Sequence, residues 1–342
     1  MERPYFSIGV TTYKRRELLT QTLASIRNQT FGDYEVIVGN DDTQEPLSGG
    51  LLGIEDSRIR FVNHPQNLGE MKNMNSLLRA ARGQYFTWLA DDDLYAPAFL
   101  QVVHSALIRF DFPACVFTSY AMGATFLAEE SGLTGEQRLV SGRQFLREYL
   151  AGSLRTLGGV FDTEYLRRTG GMEQLGKGFS PYSDALVAIR AGLLEKVVHI
   201  DAPLIFFRTH EGSISWTSGD VDAYSSAQDD LCRECITVFG SEGLRADFGH
   251  NLFRLLQRCI GDFAEVRRRS GSVNSRMTLS YLRVLRPYIR ALKGSGLYWK
   301  VIGFLMRTIV RSVSVMSRAQ LSRWLRSSDW LSGWLAKTRS RC

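Results

Sequence analysis

Two short apolar runs in the first hundred residues end in clustered aspartates, and this constrains the fold more than any other feature of the chain. Tyr34-Glu-Val-Ile-Val38 runs into Asn40-Asp41-Asp42, and residues 84–89 run into Ala90-Asp91-Asp92-Asp93. Runs of this length, rich in β-branched and aromatic residues, read as buried strands. Phe6-Ser-Ile-Gly-Val10, Arg58-Ile-Arg-Phe-Val62 and residues 114–120 read the same way. Helical periodicity lies between them, at residues 16–29 (Leu19, Leu23 and Ile26 on one face), 71–82 and 97–110. Strands alternating with helices at this spacing predict an α/β fold, a doubly wound and mostly parallel sheet flanked by helices. Ligands of such sheets bind beyond the carboxyl ends of the strands. Both acidic clusters therefore point at one rim.

Adjacent carboxylates repel, so packing them at a strand end is unfavourable unless a cation neutralises them. Oxygen ligands of this kind suit Mg²⁺ or Mn²⁺. The triplet at Asp91 also fits an acidic loop or a cap for the helix near Pro97. Asp41-Asp42 fits a turn, or a carboxylate accepting from a nucleobase N–H or a ribose hydroxyl.

The ordered series of motifs resembles the family 2 glycosyltransferases, whose fold is called GT-A. It is carried by Phe6-Ser-Ile-Gly-Val-Thr-Thr-Tyr-Lys-Arg15, Leu23-Ala-Ser-Ile-Arg-Asn-Gln-Thr-Phe31, Tyr34-Glu-Val-Ile-Val-Gly-Asn-Asp-Asp42, Asn67-Leu-Gly69, Asn75 and Ala81-Arg-Gly-Gln-Tyr-Phe-Thr-Trp-Leu-Ala-Asp-Asp-Asp93. It covers roughly residues 5 to 215. The resemblance implies an inverting transferase that takes a sugar from a nucleotide-sugar, usually UDP-linked. Thr11 and Tyr13 would line the base pocket and Asp42 would bind the base. Asp91 would face the donor, Asp92 would be the principal contact to Mn²⁺ or Mg²⁺, and Asp93 would be a third member. Phe179-Ser-Pro-Tyr-Ser-Asp184 stands where the family carries its acidic motif, which makes Asp184 the implied general base. Ser183 replaces the second acid often found there, and Asp184 also suits a helix cap. Phe206-Phe-Arg-Thr-His210-Glu-Gly-Ser-Ile-Ser215 resembles the family segment whose His ligates the metal or the diphosphate. Many members carry Ala-Arg-Asn where this chain has Asn73-Met74-Asn75, and Lys72 is the nearby substitute for the missing cation. Five histidines in the whole chain argue against a His-rich zinc site.

The net charge of +7 is unevenly spread: residues 250–342 hold 19 Lys/Arg against 3 Asp/Glu, and the remainder is net negative. The chain divides into a catalytic domain over residues 1–220 and a basic helical extension over 221–342. Along a helix from about Leu297, at about 100° per residue, Lys300, Arg307, Arg311 and Arg318 share one face. Val301, Ile302, Phe304, Leu305, Ile309 and Val313 cover much of the rest, with Trp299, Trp324, Trp330 and Trp334 adding interfacial aromatics. This pattern predicts docking on an anionic membrane surface, with packing on the catalytic domain as the alternative. No nucleic-acid motif accompanies the charge, so a nucleic-acid partner is not expected. Met1-Glu2-Arg3-Pro4-Tyr5-Phe6 has no leader pattern. The five cysteines form no disulfide framework, and Cys232-Arg-Glu-Cys235 reads as a helical coincidence. A cytoplasmic protein, peripheral on the cytoplasmic membrane face, is expected. It would act on a glycan or lipid-linked glycan acceptor in surface polysaccharide or glycoconjugate synthesis. A catalytically silent relative that binds nucleotide or glycan is the alternative. A nucleotidyltransferase is disfavoured, because Val10-Thr-Thr-Tyr13 is not a Gly-rich basic loop.

Overall fold

The computed structural model describes residues 3–124, 135–154, 156–213, 217–271 and 275–312. One nine-stranded sheet forms the centre. Its first half is β1 (Phe6–Thr12), β2 (Tyr34–Asn40), β3 (Ile59–Asn63) and β4 (Tyr85–Ala90), ordered β3-β2-β1-β4 and parallel throughout. The helices that link them are α1 (Arg16–Arg27), the single turn α2 (Gly49–Leu52) and α3 (Glu70–Ala80). These elements fall within a few residues of the expected ones.

Beyond β4 the sheet becomes mixed. After the short β5 (Leu94–Tyr95) and α4 (Phe99–Arg109) come β6 (Cys115–Gly123), β7 (Glu136–Val140), α5 (Gly142–Ala151), β8 (Thr156–Asp162), α6 (Thr163–Arg168), α7 (Ser183–Arg190) and β9 (Val197–Arg208). β8 lies between β4 and β6 and is antiparallel to both. β6 and β9 are parallel, while β5 and β7 pair antiparallel with β9. Parallel pairing is thus confined to the first four strands and to β6–β9.

Side-chain alternation along the strands builds two apolar layers. Val36 and Val38 face one side with Phe6, Ile8 and Val10, under α1 (Leu19, Leu23, Ile26) and α4 (Leu100, Val103, Leu107). Ile37 and Phe86 face the other side, under α3, α5 and α7. Gly39 brings α3 close to the rim, since a Cβ there would lie 2.1 Å from Asn73 Oδ1. Asn73 uses that proximity to donate to Gly39 O at 2.9 Å.

The last four helices among the described residues are α8 (Val221–Gly240), α9 (Phe248–Arg269), α10 (Ser275–Arg290) and α11 (Gly296–Ser312). They join the same apolar layer as α3, α5 and α7. Cys232 and Cys235 are free and buried on α8, as befits a helical coincidence. In α11, Val301, Ile302 and Leu305 are buried in this layer, Trp299 and Phe304 pack at its edge, and Lys300 and Arg307 are exposed. The described apolar face of α11 is therefore spent on the protein core and is not free to enter a membrane. Val313, Arg318, Trp324, Trp330 and Trp334 lie outside the described residues, as do the side chains of Ile309 and Arg311. No described helix is long and apolar enough to cross a membrane.

A buried carboxylate ties β1 to β2 and the start of β4. Glu35 is 3 % exposed and accepts from Ser7 Oγ at 2.6 Å, Arg82 N at 2.6 Å and Arg82 Nε at 3.0 Å. Burial raises its pKa, but the bonds from Ser7 and Arg82 outweigh that and hold it below the usual range. The stability it contributes is therefore present above its unfolded pKa and is lost as pH falls through the depressed folded value. Glu35→Ala leaves the buried Ser7 hydroxyl and the half-buried Arg82 N–H without this acceptor and is expected to cost about 2 kcal/mol at neutral pH. Urea denaturation measures the loss, which should shrink at acid pH.

Candidate active site

β1 and β4 end side by side, and the turn after β4 carries Asp91-Asp92-Asp93. The three carboxyls go to different places. The Asp91 side chain has no exposed surface, whereas that of Asp92 is 13 % exposed. The Arg15 guanidinium bridges them, one nitrogen 2.8 Å from Asp91 Oδ1 and the other 2.7 Å from Asp92 Oδ2. Thr12 and Tyr13 also approach Asp91, yet neither its Oδ1 nor its Oδ2 accepts a well-aligned hydrogen bond. Burial pushes the Asp91 carboxyl up to about 6, with Arg15 pulling down and Asp92 pushing up. Asp93 turns inward and accepts from Arg208 N at 3.1 Å. Burial, reinforced by Asp92, pushes its pKa up to about 8, so it is largely protonated at neutral pH. Asp93 anchors the end of β9 to the turn rather than adding charge to the rim. Thr22 Oγ1 fixes the turn itself, bonding Asp91 O and Asp93 O at 2.8 Å each.

His210 follows β9 and reaches the same place. Its Nε2 is 3.1 Å from Asp92 Oδ2, and its Nδ1 accepts from Gly212 N at 3.2 Å. An Nδ1 that accepts leaves the proton of a neutral ring on Nε2, which then donates to Asp92. To coordinate a metal through Nε2, the ring must give up the Gly212 bond.

The donor-side residues line the neighbouring strand ends. Thr11 of β1 lies in register between Gly39 of β2 and Ala90 of β4. Tyr13 is 48 % exposed, with Lys14 Nζ 5.1 Å from its ring centroid. Asp42 is buried just past β2, and its Oδ1 accepts from Gln44 N at 3.0 Å. Asp41 is taken up by the fold, its Oδ1 accepting from Leu68 N at 2.9 Å. Lys72 is exposed at the third residue of α3.

Asp184 sits in the first turn of α7, half-buried. Burial raises its pKa, opposed by the Ala185 N–H and by the charge of Arg258. Glu70, at the start of α3, is open to solvent but lies among the charges of Arg15, Asp184, Asp92 and Asp91. The surrounding protein raises its pKa, Arg15 lowers it, and the three aspartates raise it further. Glu70 thus feels the charges of both the rim carboxylates and Asp184. Arg15, Glu70, Arg208 and Arg258 are site residues that the sequence reading did not assign. Arg15 and Arg208 stand inside the quoted motifs, flanking positions that were assigned.

Asp91, Asp92 and His210 suit a hard divalent cation, offering oxygen donors and one imidazole. No group of three or more His, Cys, Asp and Glu among the described residues is arranged to hold a metal ion. Two carboxylates suffice where substrate phosphates complete the shell. The Arg15 guanidinium already marks the spot between Asp91 and Asp92 as one that takes a cation.

A parallel half-sheet with acidic strand ends, a mixed second half and a rim of carboxylate, imidazole and guanidinium define a GT-A type domain. The solved *S. aureus* TarS fragment 1–349 has this fold, with a TM-score of 0.62, 16% identity, and coverage of 88% of this chain and 83% of that one. Residues 7–149 match the family model "Glycosyl transferase family 2", so this part of the chain is similar to that family. A Campylobacter jejuni GalNAc(5)-diNAcBac-PP-undecaprenol beta-1,3-glucosyltransferase is 36% identical over 93 residues, 26% of this chain and 30% of that protein. An Escherichia coli UDP-Glc:alpha-D-GlcNAc-diphosphoundecaprenol beta-1,3-glucosyltransferase, WfgD, is 24% identical over 103 residues, 30% of this chain and 41% of that protein. The chain thus matches less than half the length of these relatives.

Proposed function

We propose that this chain transfers a sugar from a UDP-linked donor to a hydroxyl of a glycan or lipid-linked glycan, with inversion at the anomeric carbon. The observation that carries the proposal is the rim that gathers Asp91, Asp92, His210 and Arg15, with Glu70 feeling the charges of both that rim and Asp184. The names of the two relatives, both acting on diphosphoundecaprenol-linked acceptors, support the acceptor class.

In this reading Thr11 and Tyr13 flank the uracil, and Asp42 accepts from its N–H through lone pairs not used by Gln44. Asp92, with Asp91 behind it, would hold Mn²⁺ or Mg²⁺, which when bound neutralises charge on the departing diphosphate. Arg15, Lys72 and the His210 Nε2–H supply further donors to the diphosphate. Asp184 takes the proton of the acceptor hydroxyl as that oxygen bonds to the anomeric carbon. The bond to the UDP oxygen breaks, and its electron pair leaves with the diphosphate. A single base opposite the leaving group gives direct displacement, hence inversion.

The domain boundary near residue 220 and the peripheral membrane location are parts of the same proposal. The exposed Lys300 and Arg307, with the basic excess of residues 250–342, favour an anionic surface. Calorimetric titration with UDP, GDP and CDP, with and without Mn²⁺, tests the donor site. UDP binding that needs Mn²⁺ and falls to the metal-free level in Asp92→Ala is expected. Absence of binding by all three nucleotides would shift the reading to a silent relative.

A further inference from the structure

The loop that leads into α7, the helix that carries Asp184, is gripped by the C-terminal helices. Gly176 N donates to Asp230 Oδ2 on α8 at 2.8 Å. Gly176 has φ +73, and a Cβ there would lie 2.5 Å from Ala227 N, so α8 runs directly against the loop. Phe179 and Tyr182 both meet the ring of Tyr224 on α8 edge-on, with centroids 5.9 and 6.0 Å apart. Tyr182 OH accepts from Gln228 Nε2 at 2.6 Å and donates to Asp262 Oδ2 on α9 at 3.1 Å. Gln228 Nε2 is itself fixed by Cys259 O at 3.0 Å. Arg258 stands one helical turn before Asp262 and so shares its face of α9. Its guanidinium carbon lies 4.8 Å from the Tyr149 ring centroid on α5, beside α7.

We propose that α8 and α9 belong to the catalytic site, with Arg258, Asp262 and Gln228 acting as positioning residues that set the place and charge of Asp184. This rests on the reading of Asp184 as the base. Tyr182 stands two residues before Asp184, so pinning its hydroxyl from two helices fixes the start of α7. Among the described residues, Glu70 from α3, Tyr149 from α5 and Arg258 from α9 interact with Asp184 through charge. Glu70 carries the same charge as Asp184, and Arg258 is a cation that opposes the rise that burial imposes on the Asp184 carboxyl.

The test follows Asp184 directly, by carboxyl-carbon NMR of the full chain, with its signal assigned from its loss in Asp184→Asn. In Arg258→Met the Asp184 titration midpoint should move up by about one pH unit, and Arg258→Lys should restore most of it. Should Arg258→Met fail to fold, Arg258→Gln carries the same comparison. Tyr182→Phe should lower the kcat for UDP release from UDP-glucose or UDP-N-acetylglucosamine about tenfold, with donor KM unchanged. A folded Arg258→Met or Arg258→Gln protein whose Asp184 titrates as in wild type overturns the proposal, as does unaltered kcat in Tyr182→Phe. Failure of the base reading looks different: Asp184→Asn would then keep UDP release while the Arg258 effect on the NMR titration persisted.

Discussion

Asp184→Asn is expected to lower kcat by about 10² to 10⁴-fold with donor affinity close to wild type. The substitution keeps size and shape, and an Asn Oδ1 can still accept from the Ala185 N–H that the carboxylate meets in the first turn of α7. Fold and donor rim should therefore survive. What disappears is a group able to take the acceptor proton. The pH profile sharpens the test. Burial raises the Asp184 pKa above the ordinary aspartate value, with Ala185 and Arg258 opposing. Wild-type turnover should thus climb as pH rises through that raised value, since only the ionised carboxyl accepts a proton. The variant should lack that limb. UDP release followed against pH reads both effects. Retained turnover would remove Asp184 from the reaction and turn attention to Glu70, an exposed carboxylate that feels the charge of Asp184.

The first half of the fold was legible because its signals are local. Tyr34–Asn40 and Tyr85–Ala90 are apolar runs, and Arg16–Arg27 repeats Leu19, Leu23 and Ile26 at helical spacing. The second half depends on distant pairing. Leu94–Tyr95 is a two-residue strand made by β9, and Thr156–Asp162 contains Gly158-Gly159 and gains its order from β4 and β6 on either side. Within the site, the sequence marked acidic positions but not their orientation. Asp91, Asp92 and Asp93 are equivalent in a string of letters, yet one lies beneath Arg15, one lies at the rim, and one is turned in toward Arg208. Arg15 and Arg258 acquire their roles only where helices and strand ends meet, which no spacing encodes. The α11 periodicity was ambiguous for a related reason. An apolar stripe opposite a basic one suits a membrane surface or a protein core equally, and in the structure Val301, Ile302 and Leu305 have gone to the core.

That shared core makes the second large effect one of folding. A chain ended after Asp220, at the boundary the sequence suggests, is expected not to reach a native state. α8 and α9 cover α5 and α7, and Phe145, Leu146, Tyr149, Leu150, Tyr182 and Leu186 belong to one apolar layer with Leu231, Phe239, Leu255 and Phe263. Burying a side chain of this size is worth about 1.5–3 kcal/mol. Uncovering even part of the layer costs on the order of 10 kcal/mol, comparable to the whole stability of a domain at about 5–15 kcal/mol. The shortened chain should bind a hydrophobic dye, lose near-ultraviolet dichroism and aggregate. A chain ended after Ser312 keeps all four helices and should melt cooperatively. Comparing it with the full chain on anionic vesicles then isolates what residues 313–342 add to surface binding, free of any folding defect. A cooperative transition from the chain ended at Asp220 would mean instead that the first domain stands alone, and the helices beyond it would be an accessory that the active site does not need.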